Sequence, residues 1–457
     1  MVLALNYRRP AYVDVDSSRT SIETEKSRGE SVSSSSSCPY GIPEALSFEK
    51  IISGGTCPPV TTREFMDFLV YIEHDPENLQ FYLWYNDFVK RFFQLSEKDQ
   101  MLAPEWTPEQ AQAERHALEK EKLPKKMPAE AAAVLKGTDF DNAARPAEGG
   151  YNPFNTPPRT PNEGEYDPSL GPSVNGTYSG GATGWSEQGS TLKSGRTDHT
   201  KKTADAFETV DALQPFTIQP FREEISRIIA LYIAEDAHRM LNLSAKERAI
   251  VLKALSVTTH PSAMRDIIAT VEWTLRHQSH PNFIRWTICN GNPPRQAFAR
   301  FLGVFGIVGG IVYAIVITLS GANRGWRALA FLGFFIGIST LFAAWKGMCV
   351  VLHGMHHRHL RPWELFADPN DAQSEIDLKK NSFDSFGTKN SYEDEPWIAK
   401  YDKRNIIRKI FDREVWIQEP ALRSIQDTIF IQAVITAFII GAIATAVFLA
   451  VPKGNYF

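Results

Sequence analysis

The chain has 457 residues, more than one compact core usually needs, and a formal net charge of −4 at pH 7. Nucleic-acid-binding proteins normally carry a basic excess, so nucleic acid is not an expected partner. The four cysteines are far apart and form no CxxC pair, which argues against a disulfide framework and a structural zinc site.

Residues 1–40 contain no sustained apolar run and include the serine run 33–37. A segment this polar cannot bury enough apolar surface to fold, and it lacks the apolar centre of a secretory signal. We therefore expect a disordered N-terminal tail in the cytosol.

Residues 41–96 are dense in apolar side chains at helical spacing. Thr61 and Glu64 form a capping-box pattern, which marks the start of a helix. The apolar stripe of this helix consists of Phe65, Phe68, Leu69 and Ile72. Asp75 and Pro76 suit the N-cap and the first position of the next helix. Aromatic residues follow on one face of that helix: Phe81, Tyr85, Phe88 and Phe92.

Residues 97–212 are dominated by Pro, Gly, Asn, Thr and charged residues, and this composition predicts a long disordered insertion. Helical spacing returns in residues 213–292, where Ser244 and Glu247 form a second capping box. Neither helical block shows the alternation of β-strands. The predicted fold class is all-α, with one helical domain split by the insertion.

Three uncharged apolar runs follow, at 301–323, 328–345 and 428–452. Each approaches the length of about 20 residues that a helix needs to cross a bilayer. They predict a transmembrane hairpin within residues 298–352 and a third transmembrane helix over 428–452. GxxxG spacing in the first two spans, at 306–310 and 333–337, favours close contact between the helices of the hairpin.

The loop 353–427 joins the hairpin to the third span. Basic residues around the hairpin favour a cytosolic N-terminus and a cytosolic loop, with the tail 453–457 on the far side. A histidine cluster in the loop fits solvated interfacial residues better than a metal site, and its members are His353, His356, His357 and His359. The basic amphipathic stretch 400–425 fits either a helix on anionic lipid or a juxtamembrane helix packed on the protein.

The sharpest motif lies in residues 75–84, Asp-Pro-Glu-Asn-Leu-Gln-Phe-Tyr-Leu-Trp. It resembles the S-x-E-N-hydrophobic-x-F-W signature of the RGS family, the regulators of G-protein signalling. Residues 43–95 and 215–292 resemble the two halves of the RGS domain, with Asn242 at the place of the family's asparagine turn. The order of domain and spans is similar to that of fungal membrane-anchored RGS proteins, including yeast bud-site-selection proteins.

The resemblance implies an RGS-type antiparallel helical bundle that binds the switch regions of a GTP-loaded Gα subunit. It implies a GTPase activator rather than an enzyme with its own catalytic site, because Gα supplies the reacting groups and its partner holds them in the transition-state arrangement. No catalytic residue, metal or cofactor is expected in this chain. The Gα-binding residues that the resemblance implies are Asp75, Glu77, Asn78, Asn242, Gln278, Ser279 and Asn282.

The chain departs from the family at three of these positions. Gln278 and Asn282 stand where the family has an aspartate and, four residues later, an arginine, and Asp75 replaces the usual serine. Two functions therefore stay open: GTPase activation at a membrane, or a membrane landmark or scaffold whose degenerate RGS-like domain binds protein without activation. The expected partners are a Gα subunit and the lipid bilayer, and homo-oligomer formation through the transmembrane helices stays open. The expected location is the plasma membrane or an endomembrane, as a multi-pass protein whose RGS-like domain faces the cytosol.

Overall fold

The computed structural model describes residues 7–14, 41–122, 191–212, 218–235, 237–366 and 395–452, together with 454 and 456. Helix accounts for 71% of the structure and strand for 2%, so the expected helical class is confirmed. The chain divides into two compact units, Met1–Thr107 with His199–Phe457, and Pro108–Asp198.

The first helical block contains the α-helices α1 (Phe48–Ile52), α2 (Thr62–Phe68) and α3 (Pro76–Phe93), and α4 (Glu97–Met101) follows directly after it. Thr61 and Glu64 form the predicted capping box at the start of α2. Pro76 takes the first position of α3, as predicted, but the Asp75 side chain makes no capping bond. It accepts a hydrogen bond from Asn78 Nδ2 instead, at 3.2 Å.

The segment 97–212, predicted to be disordered, is helical at both ends. Besides α4, it contains α5 (Pro108–Lys122) and α6 (Thr191–Thr209). The reason for α6 is tertiary: Phe207 is buried, and Thr203 Oγ1 donates to the carbonyl of Ser226 at 2.7 Å. Composition alone does not reveal such packing. The centre of the predicted insertion, 123–190, lies outside the described residues.

The second helical block follows residue 217. Its helices are α7 (Arg222–Ile228), α8 (Ala245–Val257), α9 (Arg265–Thr274) and α10 (His280–Thr287). Ser244 and Glu247 form the predicted capping box before α8. The start of this block as predicted, 213–217, lies outside the described residues.

The two helical blocks pack together within the first compact unit, and we call the two blocks together the helical unit. The Phe65 ring lies 4.9 Å from the ring of Phe283, centroid to centroid, and both side chains are buried. Trp84 Nε1 donates to Glu224 Oε1 at 2.6 Å, so polar bonds also join the blocks. Burying each large side chain contributes about 1.5–3 kcal/mol, and aromatic pairing adds to it. Apolar and polar contacts thus both hold the two blocks against each other.

Two long apolar helices follow, α11 (Pro293–Leu319) and α12 (Ala330–Trp345), and a 3₁₀ turn at Arg324–Leu329 leads into α12. They pack as closely as the glycine spacing predicts. A Cβ atom added at Gly333 would lie 2.9 Å from Gly310 Cα, and one at Gly337 would lie 2.7 Å from the oxygen of Gly303. Glycine is therefore required at this helix contact.

The loop between the second and third spans has structure of its own. Its elements are α13 (Val350–Gly354), β1 (His357–His359), α14 (Pro362–Phe366), α15 (Pro396–Asp402), α16 (Ile406–Ile410) and β2 (Glu414–Trp416). Strands β1 and β2 pair antiparallel, with Arg358 opposite Val415. The stretch 400–425 is therefore not one helix, because the strand interrupts it. Residues 367–394 of the predicted loop lie outside the described residues.

The histidines of this loop are less solvated than expected. His353 and His359 are buried, while His356 and His357 are half-buried. His353 Nε2 and His356 Nε2 both face Asp427 Oδ1, at 3.5 and 3.3 Å. Among the described residues, no group of three or more His, Cys, Asp and Glu side chains is arranged to hold a metal ion.

The third apolar helix, α17 (Pro420–Ala450), begins eight positions before the predicted span, because Glu419 caps it and Pro420 takes its first position. Three helical segments, Pro293–Leu319, Arg324–Trp345 and Pro420–Ala450, are long and apolar enough to cross a membrane. Arg327, which is fully buried, donates from Nη1 to the carbonyls of Phe448 and Val451 at 2.9 and 2.6 Å. It satisfies the free carbonyls at the end of α17 and joins that end to the start of α12. Of the predicted tail 453–457, only residues 454 and 456 are described.

Candidate protein-binding site

Two π-helical turns lie beside or contain most of the candidate residues, and Gln278 and Ser279 are part of the second one. Helix α2 continues into a π turn at Leu69–Glu73, after which His74 adopts a left-handed backbone with φ of 64°. Helix α9 continues into a second π turn at Leu275–Ser279 and leads directly into α10. Wide turns of this kind re-aim side chains and are frequent at functional sites. Here they direct Glu73 from one block towards Asn282 from the other.

Five of the seven predicted residues come together at these turns. Asn282 Nδ2 donates to Glu73 Oε1 at 2.8 Å, across 209 positions of sequence. Asn78 Nδ2 donates to Asp75 Oδ2 at 3.2 Å. The whole group consists of two carboxylates, Glu73 and Asp75, and the polar side chains of Asn78, Gln278, Ser279 and Asn282. We call it the carboxylate cluster.

The two carboxylates of this cluster lie in a poorly solvated place. Burial raises the pKa of Glu73, while the side chains of Asn282, Ser279 and Gln278 oppose that rise. Burial raises the pKa of Asp75 well above its usual range, and the nearby carboxylates of Glu73 and Glu77 raise it further. Ionisation of both carboxylates at once is therefore unfavourable.

The N-terminal segment 7–14 covers the carboxylate cluster. Val13 N donates to Asn282 Oδ1 at 2.9 Å, and Asn282 Nδ2 donates to the carbonyl of Val13 at 2.9 Å. Arg285 Nη1 donates to the carbonyl of Pro10 at 2.8 Å. Part of the tail predicted to be disordered thus has a fixed place. Three of its residues, Tyr7, Pro10 and Val13, bind through their backbone, and composition does not report such bonds. Residues 15–40 lie outside the described residues.

Burial is the main difference between the cluster and an open binding surface. Asn78, Gln278, Ser279 and Asn282 are all buried in this arrangement. Gln278 and Asn282 are uncharged, so they avoid the cost of burying an aspartate and an arginine here. A partner protein reaches these side chains only if the segment 7–14 moves away.

The remaining two predicted residues differ from the five. Glu77 is half-buried on the first turn of α3, beside the cluster. Asn242 is exposed in the turn after Leu241, and the hydrogen bonds of the described residues do not join it to the cluster. That turn is held to the bundle by the bond from Leu241 N to the carbonyl of Tyr232, at 2.9 Å.

Sequence reasoning missed two residues, Glu73 of the cluster and Arg285, which binds the segment 7–14. Glu73 lies two positions before the motif that begins at Asp75, and nothing in its spacing marks it as a neighbour of Asn282. Arg285 carries one potential signal, a charge in the last turn of a helix with buried neighbours. Its role, binding the backbone of Pro10, depends on tertiary contact alone.

Comparisons of the chain with known protein families, with curated proteins and with solved structures found no match. The fold and the cluster define a class: a helical protein with three helices long enough to cross a membrane and a covered polar cluster between its two helical blocks.

Proposed function

We propose that the chain is a multi-pass membrane protein whose helical unit binds GTP-loaded Gα and accelerates its GTP hydrolysis. Gα is bound to the membrane surface by lipid, so an anchored partner meets it at a high effective concentration. The segment 7–14 covers the carboxylate cluster and has to leave before Gα binds. The chain contributes no reacting group; it stabilises the transition state of Gα by binding it.

The observation that supports this proposal is the convergence of the predicted residues. Asp75 and Asn78 from the first block lie with Gln278, Ser279 and Asn282 from the second, around one carboxylate pair. These five residues come from two distant parts of the sequence, yet their side chains share one location. A set of unrelated helix caps has no reason to converge across 209 positions of sequence.

A second function, a scaffold that binds protein without activation, is favoured by a different observation. Gln278 and Asn282 are buried and uncharged, and Asn282 is already committed to Glu73 and Val13. A surface built in this way lacks the charged pair of the family at these positions. Under this proposal the Gα switch regions, or another protein, bind the helical unit without faster GTP hydrolysis.

Single-turnover GTP hydrolysis by purified Gα subunits of the same organism tests both proposals. The full chain is added in nanodiscs, as wild type and as Val13→Pro, which removes the N–H that donates to Asn282. We expect faster hydrolysis with Val13→Pro than with wild type, because the cluster is uncovered. Asn242→Ala is expected to reduce the acceleration, and Asn323→Ala, in the turn between the first two spans, serves as the matched control.

The outcomes separate the two functions. Acceleration that depends on Asn242 supports the activator. Binding of Gα in its aluminium-fluoride form without acceleration, in wild type and in Val13→Pro, supports the scaffold. If Val13→Pro neither binds nor activates any Gα of the organism, both proposals fail for this partner.

A further inference from the structure

The short helix α16 is fixed to the beginning of the first apolar helix, α11. Asn292 caps α11 through its Oδ1 and donates from Nδ2 to the carbonyl of Lys409 at 2.5 Å. Arg295 Nη1 donates to the carbonyl of Ile410 at 3.2 Å. Both bonds go to the backbone of α16, so they fix its position and leave its side chains free to face outwards.

The position of α16 coincides with the edge of the apolar surface of α11. The ring of Phe411 lies 5.9 Å from the ring of Phe298, centroid to centroid. Phe298 precedes Phe301 by three residues, which is about 4.5 Å along the helix axis. From Phe301 onwards α11 exposes large apolar side chains, with Phe301 69% and Phe305 65% exposed. If α11 crosses a bilayer, α16 lies at the boundary between headgroups and acyl chains.

The side chains of α16 and its flank suit that boundary. Within the part of the chain that the structure describes, Ile406, Ile407 and Phe411 are 65%, 62% and 61% exposed and form an exposed apolar patch. Arg408 and Lys409 lie between them in sequence, and Arg408 is exposed. Apolar side chains beside basic ones are typical of segments that lie in the plane of a membrane surface.

The second span marks the same boundary independently. Helix α12 ends at Trp345, which is exposed, and Lys346 Nζ lies 5.0 Å from the centroid of its ring. Exposed tryptophan with a neighbouring lysine is the usual composition of a membrane–water interface. The N-terminal end of α11 and the C-terminal end of α12 face the same side, because the two helices form a hairpin.

We propose that residues 406–411 form an interfacial anchor. Ile406, Ile407 and Phe411 insert into the bilayer at the level of the first acyl carbons, and Arg408 contacts anionic headgroups. The occupant of the exposed patch is the bilayer that surrounds α11, rather than another protein. This inference concerns the membrane contact and is independent of Gα binding.

The test measures the depth of side chains in nanodiscs of phosphatidylcholine that contain the full chain. An environment-sensitive fluorescent amino acid replaces Ile407, and phosphatidylcholine with a doxyl group just below the headgroup is the quencher. Position 305 on α11 is the control inside the bilayer. Position 101 is the control in water, because Met101 is also a large apolar residue and is 80% exposed.

We expect loss of fluorescence at 407 comparable to that at 305, with none at 101. The double substitution Ile406→Asp and Ile407→Asp is expected to abolish quenching of a label at 411 while quenching at 305 stays, which shows that the spans remain inserted. The proposal is overturned if the quencher reduces the fluorescence at 407 no more than it reduces the fluorescence at 101. Addition of phosphatidylserine is expected to increase quenching at 407, and Arg408→Gln to remove that increase; no effect of phosphatidylserine overturns the headgroup contact.

Discussion

Asn282 binds both main-chain groups of Val13: it accepts from the N–H and donates to the carbonyl, each at 2.9 Å. The same Nδ2 also donates to Glu73 Oε1 at 2.8 Å. An amide side chain can make these contacts together because it carries both donors and an acceptor. One residue therefore connects the N-terminal segment, the end of α2 and the start of α10.

Replacing Asn282 by Ala is expected to release the segment 7–14. It removes two bonds to Val13 and leaves the partly buried carboxylate of Glu73 without its amide donor, a loss of about 1–3 kcal/mol. Amide hydrogen exchange of peptides covering residues 7–14 measures the release, and exchange should become about tenfold faster or more. Asn323→Ala, which removes a local bond to Gly325 N, serves as the control. Unchanged exchange in Asn282→Ala would show that other contacts hold the segment.

Asp67 makes the stability of the helical unit depend on pH. Burial raises its pKa from 3.8 to about 7, with further raising by Glu64 and Glu364 against the lowering effect of Arg63. Because the folded-state pKa is raised, the associated stability is fully present below about pH 4 and is lost as the pH rises through about 7. At pH 8 the ionised group costs at most about 4 kcal/mol, since one pKa unit corresponds to about 1.4 kcal/mol.

Asp67→Asn removes this titration, so the variant should be more stable than wild type at pH 8 and nearly equal to it at pH 4. The thermal unfolding midpoint of the full chain in detergent micelles, measured across this range, checks the prediction. Asp205→Asn, at an exposed position of α6, is the matched control and should show no such trend. If the difference in unfolding midpoint between Asp67→Asn and wild type does not change with pH, Asp67 is not the source of the pH dependence.

The sequence predicts local features of this fold better than its long-range contacts. Both capping boxes, the position of Pro76 and the close glycine contact of the hairpin follow from short spacings, because each depends on residues within one or two helical turns. The pairing of Val13 with Asn282 and the strand pairing of Arg358 with Val415 join distant segments through backbone groups, which leave no mark in composition.

The candidate site shows the same difference between local features, which the sequence predicts, and long-range contacts, which it does not. The motif selects Asp75 and Asn78 because they begin a helix with a recognisable pattern. Their neighbour Glu73 owes its position to a π turn and to a left-handed residue, His74, and neither is coded by periodicity. Asn282 is bound on one side by Val13 of the segment 7–14, and a prediction that treats this segment as a free tail cannot anticipate that contact.

Glu224 joins the two helical blocks, and its neutralisation should loosen them. Arg91 donates to it from Nη1 at 2.8 Å and from Nη2 at 2.6 Å, and Trp84 Nε1 donates at 2.6 Å. Burial alone would raise the pKa of Glu224, but the bonds from Arg91 and Trp84 hold it below its ordinary value. Since the pair is about one-third exposed, Glu224→Gln should cost only about 1–2 kcal/mol.

Chemical denaturation of the full chain in micelles measures this loss. The matched control is Glu105→Gln, which breaks the pair of Arg265 and Glu105; their side chains are 50% and 60% exposed. An exposed pair of this kind should cost about 0.5 kcal/mol or less. If both variants lose the same free energy of unfolding, the two bonds from Arg91 and the bond from Trp84 do not stabilise the chain more than an exposed ion pair does.

Gly337 is the glycine of the α11–α12 hairpin at which an added Cβ atom would come closest to the opposite helix. A Cβ atom there would lie 2.7 Å from the oxygen of Gly303 and 2.7 Å from Ile307 N, and both are backbone atoms that cannot rotate away. Gly337→Ala therefore forces α11 and α12 apart, at an expected cost of about 1–3 kcal/mol. Gly309→Ala is the control, because a Cβ atom at Gly309 meets nothing within 4 Å. The thermal unfolding midpoint of the full chain in micelles should fall for Gly337→Ala and stay constant for Gly309→Ala. A similar midpoint for both variants would show that the two helices separate without loss of stability. The close glycine contact would then not stabilise the chain.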